Sequence, residues 1–155
     1  MNSDKLTAEV TQELDQLRRV AKHAAELAQV PAVDRRPWHA AAAAKYIADL
    51  VNGLENLCKR RYRSANLPVP EGEDSHTRIL EEFIAAPGLG AGLTDEVKQR
   101  LRKYLRFRHR FVHGYGHEVL WDIVDEPLRL LPETIAILRE TWLRWLEQAQ
   151  RNEPR

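Results

Sequence analysis

The sequence contains a single cysteine, Cys58, among its 155 residues. One thiol cannot form an internal disulfide, so the chain does not depend on a disulfide framework, and this composition fits a reducing cytosol. Cys58 stands among apolar residues at helical spacing, where we expect it to be a small buried side chain. A chain of this length is large enough to form one domain, residues 1–155, around its own apolar core.

Long apolar runs are also missing. No run approaches the roughly 18 apolar residues that cross a membrane, and the first residues, Met1 to Asp4, are polar. We therefore expect a cytoplasmic protein with neither a membrane span nor a signal peptide. The formal net charge is only +1, so the field of the whole molecule does not attract nucleic acid and any RNA-binding surface must be local.

No segment shows the alternation of a strand, and there is no internal repeat or low-complexity tract. Apolar residues instead recur at steps of three and four, which predicts helices. The predicted long helices span residues 4–30, 38–63, 94–113 and 126–152, with a short one at 76–86. Pro132 is expected to kink the last helix or to begin a second segment, and residues 87–93 to form a flexible turn. The fold class is therefore all-α, an antiparallel helical bundle of four long helices and one short one.

The helix that precedes Gly114 holds most of the chemistry. Leu101, Leu105 and Val112 fall in one narrow apolar arc at about 100° per residue, and Arg108 lies inside that arc. A guanidinium on a core-facing stripe is costly unless it is paired or lines a cleft. The polar side carries a local basic footprint with interleaved aromatic residues: Lys98, Arg100, Arg102, Lys103, Arg106 and Arg110, with Tyr104, Phe107 and Phe111.

Arg108, His113 and Tyr115 stand at the spacing Arg-x4-His-x-Tyr, where the helix meets Gly114 and Gly116. This pattern resembles the signature of the HEPN ribonuclease families, and most closely that of the HepT-like toxins. The segments 46–60 and 75–80 also look like the corresponding parts of HepT-like proteins. The resemblance implies an all-helical ribonuclease whose partner is a minimal nucleotidyltransferase antitoxin.

Arg108 and His113 are the residue types that metal-independent RNA cleavage needs. A histidine can take or give a proton near neutral pH, and an arginine can clamp a phosphate and stabilise its developing charge. The resemblance implies the same roles: transesterification of single-stranded RNA, without a cofactor, by these two residues. The neighbouring Arg102, Arg106, His109 and Arg110 are expected to support catalysis or to bind RNA, and His109 stands where family members often carry asparagine.

The spacing of the pair adds a constraint. Residues five apart diverge by about 140° on an ideal helix and are separated by about 7.5 Å along it. Either the helix unwinds near Gly114, or two chains pool their residues in one cleft. The resemblance implies a composite site across a dimer, so we expect a symmetric homodimer.

Tyr115 has two interpretations. Taken alone, it is a packed aromatic residue after a helix end. The resemblance implies that it is the acceptor of AMP from the antitoxin, a modification that silences the ribonuclease. Gly114 and Gly116 would leave such a tyrosine accessible on a turn.

Two rival functions stay open. His109, His113 and His117 are spaced four apart, a familiar spacing for zinc ligands, and Glu118 and Asp122 could complete a site. The glycines interrupt that helix and no HExxH motif is present, so we predict no metal site. The other rival is a non-catalytic HEPN-like module that binds RNA or a protein.

Other candidates have structural interpretations. The second basic cluster, Lys59 to Arg63, is a solvated helix end or an RNA-backbone contact. His76 is expected to pack at a helix start, and Trp142 and Trp145 to lie in the core or at a subunit interface.

Overall fold

The computed structural model describes residues 3–113 and 120–154, except for the side chains of residues 112 and 113. It contains five α-helices: α1 Ser3–Ala28, α2 Pro37–Ser64, α3 Ser75–Ala85, α4 Asp95–His113 and α5 Trp121–Arg151. These described ranges contain no strand, which confirms the predicted all-α bundle of four long helices and one short one. None of the described helices has the length and apolar character that crossing a membrane requires.

Helices α1, α2 and α5 pack against one another around the main core. The apolar stripe predicted for α1 is buried, at Leu6, Val10, Leu14, Leu17, Ala24 and Leu27. Trp142 of α5 is fully enclosed and stacks on Phe83 of α3, with ring centroids 5.7 Å apart. Cys58 is buried as predicted, and burial raises the pKa of its thiol to about 12.

The first two helices run antiparallel and close together. Arg60 near the end of α2 pairs with Glu9 and Glu13 near the beginning of α1, at 3.0 and 3.5 Å. Gly53 allows the close approach, since a Cβ at this position would lie 2.7 Å from Cδ2 of Leu17. The two helices therefore form a tightly packed hairpin that supports the rest of the bundle.

Helix α4 buries a different face from the one predicted. Its buried residues are Val97, Leu101, Tyr104 and Phe107, so Tyr104 and Phe107 belong to the core and were wrongly assigned to the polar side. Leu105 is only half-buried. The reason is tertiary packing: α4 lies against α2, and the hydroxyl of Tyr104 donates to the carbonyl oxygen of Pro127 in α5, at 2.8 Å.

Helix α5 begins at Trp121, five residues before its predicted start, and continues through Pro127 and Pro132. Pro132 therefore does not divide it into two segments. Each proline removes one backbone donor, but Leu128 and Leu131 beside them are fully buried. The burial of this face outweighs the local preference for a helix end.

The connection between α3 and α4 is packed and is not the flexible turn that its glycines predicted. Leu89 and Gly90 are buried, and a Cβ on Gly90 would lie 2.2 Å from the carbonyl oxygen of Phe83. Thr94 then caps α4 as predicted, because its hydroxyl accepts the backbone N–H of Val97 at 3.3 Å. This tight connection fixes α3 beside α4, and the candidate site lies between these two helices.

Candidate functional site

Arg108 lies on the second half of α4 and is half-buried. Its Nε is shielded from solvent and has no hydrogen-bond partner within residues 3–113 and 120–154. A buried guanidinium donor without an acceptor is unfavourable by roughly 1–3 kcal/mol. Arg108, which the sequence placed on a core-facing stripe where a guanidinium is costly unless paired, therefore has an Nε–H donor that lacks an acceptor among the described residues.

Arg108 lines an open groove of about 450 Å³. The groove runs between the first turns of α3 and the second half of α4. Its lining residues are Glu73, His76, Thr77, Leu80, Glu81, Arg102, Leu105, Arg106, Arg108 and His109. Four of the predicted site residues, Arg102, Arg106, Arg108 and His109, thus share one groove.

One wall of the groove is fixed by an ion pair between the two helices. Nε and an Nη atom of Arg102 donate to the two carboxylate oxygens of Glu81 at 2.7 and 2.8 Å. The bond from Arg102 holds the pKa of Glu81 below its usual value. Arg102, a predicted RNA-binding residue, therefore uses two of its three guanidinium nitrogens to bind Glu81 and joins α4 to α3.

Two other arginines of α4 are not held by ion pairs as Arg102 is. Arg106 and Arg110 are exposed, and neither forms an ion pair with a residue that the structure describes. Since Arg102 and Glu81 neutralise each other, Arg106 and Arg108 outnumber Glu73 among the fully charged groups of the groove. The groove is therefore a local basic surface on a chain that is nearly neutral overall.

The second motif residue stands at the end of α4, which remains helical through His113. Arg108 and His113 therefore keep the offset of about 140° that an unbroken helix imposes. The side chain of His113, and Tyr115 with the whole segment 114–119, lie outside the described residues. The predictions made for His113 and Tyr115 stay predictions.

Sequence reasoning assigned no role to Glu55 and only a packing role to His76, and the structure pairs these two residues beside the groove. Glu55 of α2 is buried, and its carboxylate bonds to Nδ1 of His76 at 2.7 Å and to Nζ of Lys59 at 2.9 Å. Burial raises the pKa of Glu55, but the bonds from Lys59 and His76 outweigh it, so the pKa is lowered overall. The available signal was Glu55 itself, a carboxylate spaced four and three residues from the apolar Val51 and Cys58.

The second basic cluster is largely occupied by pairs within the chain. Lys59 pairs with Glu55, and Arg60 pairs with Glu9 and Glu13. These contacts favour the structural interpretation of this helix end over an RNA contact.

A metal site has no support from the described part of the chain. Residues 3–113 and 120–154 contain no group of three His, Cys, Asp or Glu residues that could hold a metal ion. His117 and Glu118, which the metal hypothesis requires, lie outside the described residues.

Comparison with known proteins agrees with the motif. No curated protein and no solved structure was found to match the chain. The family model described as "HepT-like protein" matches residues 42–149, more than two thirds of the sequence. This range includes α3, α4, the groove between them and all three residues of the Arg-x4-His-x-Tyr motif. The chain therefore belongs to the family of HepT-like proteins.

Proposed function

We propose that this HepT-like protein is a toxin-type endoribonuclease that cleaves single-stranded RNA without a metal ion, at the groove between α3 and α4. The observation that carries the proposal is the buried Nε of Arg108, which has no hydrogen-bond partner among the described residues. An RNA phosphate would supply the acceptor that this donor lacks. Arg106 and Arg110, exposed on the same helix, would contact neighbouring phosphates of the strand.

In this mechanism, Arg108 binds a non-bridging oxygen of the scissile phosphate and stabilises the charge that develops on it. The 2′-hydroxyl oxygen attacks phosphorus, the bond to the 5′ oxygen breaks, and a 2′,3′-cyclic phosphate remains. His113 takes or gives one of the two protons that this exchange moves. No metal ligand is needed at any point.

We also propose a homodimer. Because α4 is continuous through His113, Arg108 and His113 diverge on one chain, and pooling residues from two chains in a shared groove would bring such pairs together. Light scattering at micromolar concentration should give the mass of two chains. A monomeric mass would contradict this assembly.

Regulation is proposed to act through Tyr115 and a minimal nucleotidyltransferase antitoxin. AMP on this tyrosine would bring a phosphodiester charge and a base toward the groove, repel or block the RNA, and offer Arg108 a competing phosphate. Intact-mass measurements after incubation with the partner and ATP test this. Tyr115→Phe should escape modification and stay active; AMP addition that survives Tyr115→Phe would place the acceptor elsewhere.

RNA cleavage in EDTA is the test of the proposed activity. The wild type should cleave a single-stranded oligoribonucleotide, whereas Arg108→Ala and His113→Ala should lose about 100-fold or more of the rate. Arg144→Ala is the matched control, since Arg144 is an exposed arginine on α5 whose ion pair within the described part of the chain is with Glu140 alone.

Two results would contradict the proposal. Binding of RNA without cleavage would favour the non-catalytic HEPN-like module, and cleavage that EDTA abolishes would favour the metal hypothesis.

A further inference from the structure

Glu55 is a carboxylate inside the bundle, with only 10% of its side chain exposed. It lies on α2 among Leu54, Leu57 and Cys58, all of which are buried. A charge at such a position is unfavourable unless it is paired. Glu55 is paired twice, with Lys59 one helical turn along α2 and with His76 at the beginning of α3. Lys59 partly neutralises the charge, while His76 connects it to the groove.

The bond to Glu55 decides which ring nitrogen of His76 is available. Nδ1 faces the carboxylate at 2.7 Å, and a carboxylate accepts, so Nδ1 carries a hydrogen. Nε2, on the other side of the ring, is the nitrogen left for other contacts. The side chain of His76 is 42% exposed and lines the groove together with Arg108.

The same ring also lines a small apolar cavity of about 20 Å³ between α2, α3 and α4. Leu80 and Leu105 line both the cavity and the groove. His76 therefore lies between an apolar cavity and the basic groove, with a carboxylate on Nδ1. A histidine in these surroundings is held in one tautomer and one direction.

RNA transesterification moves two protons, one away from the 2′-hydroxyl and one onto the departing 5′ oxygen, so the site needs both a base and an acid. We propose that His76, oriented by Glu55, is the second proton-transfer residue of this site and acts as the general acid. The inference rests on the proposed ribonuclease function.

The step balances as follows. His113 removes the proton from the 2′-hydroxyl while the bond from that oxygen to phosphorus forms. The bond from phosphorus to the 5′ oxygen breaks, and protonated His76 gives its Nε2 hydrogen to that oxygen. His76 is left neutral, with Nδ1–H still donating to Glu55.

The charged surroundings of His76 come from three elements. Glu55, which also pairs with Lys59, bonds to it from α2. The groove that it lines is shared with Glu73 from the preceding loop and with Arg102, Arg106, Arg108 and His109 from α4. His109 shares the groove and is the competing proton donor, so the experiment must separate the two histidines.

His76→Asn is the most informative variant. The amide nitrogen of asparagine can take the place of Nδ1 and keep the bond to Glu55, while nothing replaces Nε2. His109→Asn tests the competing donor. His23→Asn is the matched control, because His23 is an exposed histidine on α1. Circular dichroism and thermal unfolding establish that each variant folds, and His76→Gln takes the place of His76→Asn if the latter does not.

Two substrates distinguish an acid from a structural residue. One is an ordinary oligoribonucleotide, and the other carries sulfur in place of the 5′ bridging oxygen at the cleavage site. A thiolate leaves without a proton, so a general acid is needed only for the first substrate. His76→Asn should cleave the ordinary RNA about 100-fold more slowly or worse, and the sulfur substrate at nearly the wild-type rate. Glu55→Gln, at a positioning residue, should show the same selective loss to a smaller degree.

The outcomes separate this inference from the proposed function. Wild-type cleavage of ordinary RNA by His76→Asn, with Arg108→Ala inactive, would overturn the role of His76 and leave the ribonuclease intact. An equal loss on both substrates would also overturn it, since it indicates a structural defect. The selective loss in His109→Asn instead of His76→Asn would assign the acid to His109. A wild type that cleaves neither substrate would overturn both proposals.

Discussion

Arg100 and Arg108 occupy the same helix about two turns apart, yet their surroundings differ. Arg100 is 9% exposed at its side chain, and its guanidinium donates to Glu96, Glu133 and Thr134 at 3.1–3.2 Å. Arg108 is half-buried, with an Nε that finds no partner among the described residues. The guanidinium of Arg100, in the first half of α4, is therefore hydrogen-bonded within the chain. Arg108, in the second half, has a donor without a partner among the described residues, which an external anion could bind.

The comparison separates two uses of a partly buried arginine. A satisfied guanidinium such as Arg100 joins helices, and its loss exposes acceptors and weakens packing. An unsatisfied one such as Arg108 contributes little to folding and is available for an anion. We therefore expect substitutions in the first half of α4 to lower the free energy of unfolding, and substitutions in the second half to weaken RNA binding and cleavage.

The largest stability effect is expected at Tyr104, in the first half. Its ring is 1% exposed and its hydroxyl bonds to the Pro127 carbonyl. Tyr104→Ala should lower the free energy of unfolding by about 3–5 kcal/mol, because it leaves a cavity and an unpaired carbonyl. Urea unfolding measures this, and a loss near zero would show that α4 is not held by this residue.

Alkaline pH should also act on the first half. Burial raises the pKa of Tyr104 from 10.0 to about 12, so the unfolded chain loses this proton first. The stabilisation is complete below pH 10 and should be lost as pH rises toward 12, by roughly 2–3 kcal/mol. Cys58 contributes in the same direction. Stability of Tyr104→Phe, measured from pH 8 to 11, should fall less steeply than that of the wild type; identical slopes would refute the assignment.

A smaller effect is expected for Arg100→Ala. It removes hydrogen bonds to two exposed glutamates and to the buried Thr134, a loss of about 1–2 kcal/mol in urea. RNA cleavage should be unchanged once the variant is folded. Reduced cleavage at full folding would break the division between the two halves.

The smallest stability effect is expected for Arg108→Ala, within about 0.5 kcal/mol of the wild type. Its Nε has no described partner to lose, so only the packing of its stem changes. A destabilisation as large as that of Arg100→Ala would mean that Arg108 has a structural role.

Much of the bundle could be predicted from the sequence because local periodicity and burial agree. The stripe of α1, the position of Cys58 and the Thr94 cap are confirmed. The beginning of α5 and the buried face of α4 were predicted wrongly because packing against neighbouring helices decides them. Pro127 is tolerated inside α5 because that face of the helix is buried. Its carbonyl oxygen accepts the hydroxyl of Tyr104, and this contact holds Tyr104 in the core.

The candidate site divides in the same way. The groove contains Arg106, Arg108 and His109 because they stand close together on one helix, which the sequence made visible. Glu55 and His76 are separated by 21 residues and meet only through the packing of α3 on α2. No local sequence pattern predicts that these two residues meet. The one available signal was a carboxylate on an apolar helical stripe, which indicates that Glu55 needs a partner.

The most direct test of the unsatisfied arginine is RNA binding without chemistry. Fluorescence anisotropy with a labelled 2′-O-methyl oligoribonucleotide, which lacks the attacking hydroxyl, gives Kd over a range of salt concentrations. Arg108→Ala should raise Kd about 10-fold and reduce the salt dependence by about one phosphate contact, while Arg100→Ala should match the wild type. Equal Kd and equal salt dependence for Arg108→Ala and the wild type would contradict the assignment of Arg108 to an RNA phosphate.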